Sequence, residues 1–311
     1  MPGVYGSLMG SAPGSTATSA ESATPSGLRT VGIVGSGIMG AGVAEVVARA
    51  GFDVIVASRS QERADETAAS FASSLNRQVE RGKLTLDERD AALTRLTTTN
   101  DMNGLSGCDL VLESIVEDLE RKRDVFGVLD EVCPPEAMLA TNTSTLPVVE
   151  LAMRTKRPHL VCGIHFFNPA PAMSLVEVVN QITAAPTTIA RAQAFARECG
   201  KEPVIVKDRA GFIVNALLFP YLNNAVRLLE NGVAGRDDMD RAMKGGCGFP
   251  MGPFALLDLV GIDTSVAILE ALFTETRDPH VSPQPLLRRM VTANMLGRKT
   301  GVGFYDYPKR S

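Results

Sequence analysis

Thr30-Val31-Gly32-Ile33-Val34-Gly35-Ser36-Gly37-Ile38-Met39-Gly40 is the stretch that decides the fold. Its first five residues have the length and apolar content of a buried strand, and the next six hold glycines in the spacing G-x-G-x-x-G. Ala41 to Ala50 then reads as a helix, and Asp53 to Ala57 as a second strand. In that context each glycine has its own task. Gly35 permits the tight turn, Gly37 lets the backbone approach a pyrophosphate, and Gly40 allows the helix to pack closely on the strand. The phosphates would sit beside Ile38 and Met39 at the helix N-terminus, where unpaired N–H groups and the dipole favour anions. The alternative is a glycine turn with a structural role only.

From Thr30 to about Lys207 short apolar runs alternate with helical stretches, the pattern of a parallel sheet covered on both faces. Leu110-Val111-Leu112, Met138-Leu139-Ala140 and Val161 to Ile164 continue the sheet. One insertion interrupts it: Gln61 to Gly82 and Thr85 to Leu96 read as two helices, the second opening on the capping box Thr85-Leu86-Asp87-Glu88. Beyond Asp208 the pattern is helical, over Gly211 to Glu230, from Arg236 onward, over Pro253 to Glu275 and over Gln284 to Leu296. The fold class is therefore α/β. A Rossmann-type dinucleotide-binding domain with a helical-hairpin insertion spans 29–208, and an all-α C-terminal domain spans 209–311, whose apolar excess fits either a buried helix or a dimer interface. Residues 1–28 are rich in Ser, Gly, Ala, Thr and Pro with one charge, Glu21, and read as a disordered tail.

The end of the second strand departs from the usual NAD pattern, in which an acid bonds the ribose 2′-hydroxyl. Here Val54-Ile55-Val56-Ala57-Ser58-Arg59-Ser60 carries none. Ser58 lacks the charge that repels a 2′-phosphate, and Arg59 is placed to clamp that phosphate or stack on adenine. Of NAD(H) and NADP(H), this favours NADP(H); the alternative leaves Arg59 a solvated residue at a helix start.

The chain has three histidines, and one of them has chemistry around it. His165 is followed by Phe166-Phe167-Asn168, a Pro169-Ala170-Pro171 break and a second apolar run from Leu175 that carries Glu177. A break between two extended runs can fold the second back on the first and bring imidazole and carboxylate together. The carboxylate then fixes the tautomer, leaving the other ring nitrogen to act as a general base. A core histidine beside a chance acid is the plainer reading. His159 and His280, each beside a proline in polar surroundings, read as surface residues.

Composition excludes several classes. A net charge of −4 with no basic stripe argues against nucleic acid as a partner, and no apolar stretch is long enough for a membrane helix. The five cysteines are scattered, with no C-x-x-C pair and no metal-ligand spacing, which fits a reducing, cytoplasmic setting and no zinc site.

At this point the motifs add up. The glycine loop, Asn142-Thr143-Ser144, the His165 segment, Gly211-Phe212-Ile213-Val214-Asn215, Pro250-Met251-Gly252-Pro253 and Gly297-Arg298-Lys299-Thr300-Gly301 occur in that order. Over roughly residues 29 to 307 the chain resembles the short-chain L-3-hydroxyacyl-CoA dehydrogenases, including bacterial 3-hydroxybutyryl-CoA dehydrogenases. The resemblance implies that His165 is the catalytic base and Glu177 its orienting carboxylate. It implies that Ser144 and Asn215 bond the reacting oxygen and that Asn168 lies near nicotinamide and substrate. Glu117, Lys122 and Lys299 become cofactor contacts. Ser74 and Arg81 become coenzyme A contacts, with Arg81 standing where a lysine is usual. Read alone, Ser144 is equally a turn residue, Asn215 a solvated helix residue, and Glu117 with Lys122 an exposed charged helix face.

The implied function is reversible hydride transfer between a nicotinamide dinucleotide and a short-chain 3-hydroxyacyl-CoA, with a homodimer formed through the apolar helical domain. Two alternatives stand beside it: a dehydrogenase acting on a carrier-protein-bound or free 3-hydroxy acid, and a non-catalytic dinucleotide-binding protein.

Overall fold

A computed structural model describes residues 25–308. In chain order the first domain contains β1 (Thr30–Val34), α1 (Ile38–Arg49), β2 (Asp53–Ala57), α2 (Gln61–Glu80), α3 (Leu86–Thr94), β3 (Leu96–Thr99), β4 (Leu110–Glu113) and α4 (Leu119–Val132). It continues with β5 (Met138–Thr141), α5 (Val148–Ala152), β6 (Val161–Phe166), β7 (Leu175–Asn180), α6 (Pro186–Glu198) and β8 (Glu202–Lys207). The strands form one sheet in the order β3-β2-β1-β4-β5-β6-β7-β8. β3 to β6 run parallel, β7 pairs antiparallel with β6, and β8 runs parallel to β7. Every residue of β4, β5 and β6 is buried, as a sheet covered on both faces requires. The strand order reverses between β1 and β4, which opens a crevice at the carboxyl ends of those strands, where α/β sheets of this kind bind ligands.

Apolar clusters fill both sides of the sheet. One packs α1, α2, α3 and α6 against it, and the other packs α4 and α5 on the opposite face. A third cluster is the core of the second domain, built from α7 (Val214–Glu230), α8 (Arg236–Cys247), α9 (Pro253–Val260), α10 (Ile262–Thr276) and α11 (Pro285–Thr292). Among the described residues no helix is long and apolar enough to cross a membrane.

Local geometry bears out the glycine loop. Gly35 has φ 118°, and a Cβ there would lie 2.5 Å from the Ser114 carbonyl oxygen. A Cβ on Gly40 would lie 1.9 Å from the Gly35 oxygen, which is the close helix–strand packing that only glycine allows. A Cβ on Gly37 would meet nothing within 4 Å.

Several boundaries differ from the sequence reading; the helix read over Gln284 to Leu296 runs only from Pro285 to Thr292, with Asn294 at positive φ beyond it. The second hairpin helix stops at Thr94, because Leu96 to Thr99 pair with β2 as an edge strand. The helix read over Pro253 to Glu275 is broken at Gly261, whose φ of 104° no α-helix accommodates. The helix read from Gly211 begins at Val214, since Gly211 and Phe212 both take positive φ. The tail read over residues 1–28 lies outside the described residues as far as 24. Of the four beyond it, Ser26 and Leu28 are buried, and Ser26 hydrogen-bonds Glu198 at the end of α6.

The glycine geometry separates two substitutions. Gly40→Ala is expected to lower Tm by about 2–10 °C, from an overpacking cost of about 1–3 kcal/mol. Gly37→Ala should leave Tm within about 2 °C, because its methyl enters open space. Thermal melts of both variants check the contrast, and equal losses would overturn it.

Candidate active site

His165 is the fifth residue of β6 and Glu177 the third of β7, and the antiparallel register sets them directly opposite each other. His165 Nδ1 lies 2.8 Å from Glu177 Oε2. A carboxylate only accepts, so Nδ1 carries the hydrogen and Nε2 is left as the acceptor in the neutral ring. Ser144 Oγ stands 3.1 Å from that Nε2. Both members of the pair are buried, and the ring lies against Phe167 and Phe212, with centroids 4.5 and 5.5 Å away.

The second oxygen of Glu177 accepts from the Ile213 and Val214 amides, each at 3.0 Å, at the start of α7. Burial alone would push the Glu177 carboxyl up. The His165 ring and the two helix-start amides outweigh it and hold the carboxyl below the ordinary glutamate value of 4.5. Asn215 follows Val214 in the first turn of α7, the helix that Glu177 caps, and is buried there.

Ser144 sits in the turn after β5, and a second glutamate grips that turn. Glu117 Oε1 accepts from the Thr143 hydroxyl at 2.6 Å, the Ser144 amide at 2.9 Å and the Thr145 amide at 3.1 Å. Burial would raise the Glu117 carboxyl, but Lys122 and these donors together hold it low. Lys122 is fully buried, 2.7 Å from Glu113 and 3.5 Å from Glu117. The exposed charged helix face that was the plainer reading of Glu117 and Lys122 is therefore wrong for both: Lys122 is buried, and Glu117 lies before α4 with its carboxylate on the Ser144 turn.

The remaining candidates make their contacts elsewhere. Asn168 is exposed in the loop after β6. Lys299 pairs with Asp263 in the second domain. Ser74 donates to the buried Glu45 at 2.6 Å, which ties α2 to α1, and Arg81 caps the C-terminus of α2 with its side chain exposed. Three residues escaped the sequence reading. Glu113 ends β4 wholly buried; the acid closing the apolar run Leu110-Val111-Leu112 was the available signal. Asn142 accepts from the Phe166 amide at 2.8 Å, joining the ends of β5 and β6, and Phe212 walls the imidazole. Both stand in motifs quoted from the sequence, but nothing in those motifs alone assigns them these contacts.

The residues around the glycine loop fit a dinucleotide. α1 starts with no side-chain cap and no acid in its first turn, which leaves its N-terminal amides for an anion. At the end of β2, Ser58 Oγ is buried with no hydrogen-bond partner among the described residues, and the Arg59 side chain is exposed.

A dinucleotide fold with a buried His–Glu pair and a hydroxyl on the free ring nitrogen defines a nicotinamide-dependent alcohol dehydrogenase that uses side-chain acid–base chemistry. The comparisons with known proteins narrow the class. The profile of the 3-hydroxyacyl-CoA dehydrogenase NAD binding domain matches residues 30–209, and that of the family's C-terminal domain matches residues 211–307. The 3-hydroxybutyryl-CoA dehydrogenase of Mycobacterium tuberculosis is 46% identical over 282 residues, covering 90% of this chain and 99% of that one. The enzyme of the same name from Clostridioides difficile is 43% identical, covering 89% and 99%. The crystal structure of (S)-3-hydroxybutyryl-CoA dehydrogenase PaaH1 from Ralstonia eutropha superposes with a TM-score of 0.88 at 39% identity, covering 91% and 100%. The chain belongs to the 3-hydroxyacyl-CoA dehydrogenase family, and its cofactor is a nicotinamide dinucleotide.

The two depressed carboxyls make an acid-stability prediction. A glutamate held low in the folded state contributes stability that is present above its ordinary value of 4.5 and is lost as pH falls through the folded value. Tm of the parent protein is therefore expected to fall more steeply between about pH 5 and about pH 3 than Tm of Glu177→Gln or Glu117→Gln. Parallel slopes in differential scanning calorimetry would contradict the assignment.

Proposed function

We propose that the protein interconverts a short-chain (S)-3-hydroxyacyl-CoA and its 3-ketoacyl-CoA, with NADP(H) preferred. The observation that carries the reading is the continuous line Ser144 Oγ–His165 Nε2–Glu177, with one ring nitrogen tied to the carboxylate and the other facing a hydroxyl. The bound nicotinamide supplies the hydride acceptor for oxidation and the donor for reduction. His165 Nε2 takes the hydroxyl proton in oxidation and returns it in reduction, while Glu177 stabilises the imidazolium. Ser144 and Asn215 are the uncharged groups that support developing alkoxide character on the reacting oxygen. Phe167 and Phe212 exclude water from the imidazole faces.

Ser58 in place of an acid and the exposed Arg59 support the NADP(H) preference, since a 2′-phosphate would meet a guanidinium and no repelling charge. The exposed Arg81 at the end of α2 supports a coenzyme A phosphate contact at the hairpin. Exposed Leu217, Val233, Phe249 and Leu259 support a homodimer formed through the second domain. A cytoplasmic setting accords with five free thiols.

Initial rates with acetoacetyl-CoA, run in parallel with NADPH and NADH, test the reaction and the preference together. Faster oxidation of NADPH is expected, and Ser58→Asp with Arg59→Ala should reverse the preference; NADH used as well by both proteins would discard it. His165→Ala should lower kcat by about 100-fold or more with cofactor Kd nearly unchanged. Retained turnover in that variant would sink the role given to the imidazole. A parent protein that oxidises neither cofactor would redirect the search to carrier-protein-bound or free 3-hydroxy acids, and Arg81→Glu without effect on acyl-CoA saturation would point the same way.

A further inference from the structure

Three charged side chains lie behind Ser144, and one of them, Glu113, has no part in the scheme above. Glu113 is wholly buried at the end of β4. Its Oε1 accepts from Lys122 Nζ at 2.7 Å and from the Ile115 amide at 2.6 Å, and its Oε2 accepts from the Thr141 hydroxyl at 2.7 Å. Lys122, itself fully buried, reaches Glu117 Oε2 at 3.5 Å. Glu117 then holds the Thr143–Thr145 turn through its other oxygen.

We infer that Glu113 is a positioning residue for the reaction: through Lys122 and Glu117 it fixes the turn that presents Ser144 Oγ to His165 Nε2. Glu117 is partly exposed, and a carboxylate gripped at one oxygen only is free to swing. Lys122 pins the second oxygen. A lone buried lysine would in turn have no fixed direction, and Glu113, clamped between Ile115 and Thr141, gives it one. Buried ion pairs are poor sources of net stability compared with apolar packing, so stability alone does not account for three charges at this edge of the sheet. Geometry does, because a misplacement of about 1 Å costs on the order of a hundredfold in rate.

The inference rests on the hydride-transfer reading of Ser144 and His165. The test is Glu113→Gln in the full chain, read by steady-state kinetics, cofactor titration and amide hydrogen exchange. The expected result is a kcat lower by about 10–100-fold, with KM for acetoacetyl-CoA within about twofold. Exchange should rise at the Ser144 and Thr145 amides and stay unchanged elsewhere in the sheet. Glu113→Asp, which keeps the charge and withdraws it from Lys122 by one methylene, should act in the same direction to a smaller extent. It carries the test alone should Glu113→Gln fail to fold. An unchanged kcat in the folded variants would overturn the inference, as would a loss confined to KM or cofactor Kd, or exchange rising throughout the chain. A parent protein without turnover would end the hydride-transfer reading, while the exchange pattern would still decide what holds the turn.

Discussion

The carboxylate of Glu177 divides its two oxygens between two domains, and the site exists because of that division. One oxygen holds the His165 ring on the neighbouring strand, and the other holds two amides at the start of α7. Taking a carboxylate out of water costs several kcal/mol, and hydrogen bonds to a charged acceptor return about 1.5–3 kcal/mol each, so the three bonds together offset the burial where one would not. The positive φ of Gly211 and Phe212 turns the linker so that the Ile213 and Val214 amides point back at the sheet. The same turn lays the Phe212 ring beside the imidazole. Orientation of the base and docking of the helical domain are thus one event.

The same device recurs along the chain. Asp208, just before that linker, receives the Val148 and Val149 amides, and Glu117 receives those of Ser144 and Thr145. In the second domain Asp240 receives Phe254 and Ala255 at the start of α9, while Asp258 receives Phe304 and Tyr305 of the C-terminal segment. Each is an acidic side chain satisfying paired donors on a segment distant in sequence. Helix starts offer such orphan amides, and a charged acceptor both satisfies them and fixes the segment. Where the gripped segment is a turn carrying a hydroxyl, as at Ser144, a structural device becomes a means of aiming chemistry.

What was legible in the sequence was local. The glycine loop and the Thr85–Glu88 capping box are read within a few residues, and both formed as read. His165 and Glu177 were legible as a pair because twelve residues and one proline break separate them, so the chain itself brings them together. Leu96 continued the apolar spacing of α3, and only pairing with Val54 makes it a strand. The apolar run through Pro253 to Glu275 hid the break at Gly261, since periodicity reports a buried face and not the backbone angle beneath it. Glu113 stood out only as an acid closing an apolar run, and its function was hidden for a related reason. Its partners Lys122 and Thr141 lie nine and 28 positions away, and only the sheet register brings Thr141 alongside it. Ser144 in isolation was a turn residue, and it gained meaning from resemblance and then from its distance to the imidazole.

The register of β6 against β7 shows what holds the catalytic pair in place. Cys162, Ile164 and Phe166 alternate onto one face of the sheet, and Val176 and Val178 meet them there in the same apolar cluster. His165 and Glu177 occupy the alternate positions and so face the other side, with Val161 and Val179. A slip of one residue in β7 would send Glu177 into the apolar cluster and bring its valines out of it. Burial of each such side chain contributes about 1.5–3 kcal/mol, so the two valines of β7 on the far face outweigh the hydrogen bond of the pair itself. The dyad therefore does not assemble itself. Residues that never approach the substrate fix the register, and the imidazole and carboxylate take the positions that register leaves them.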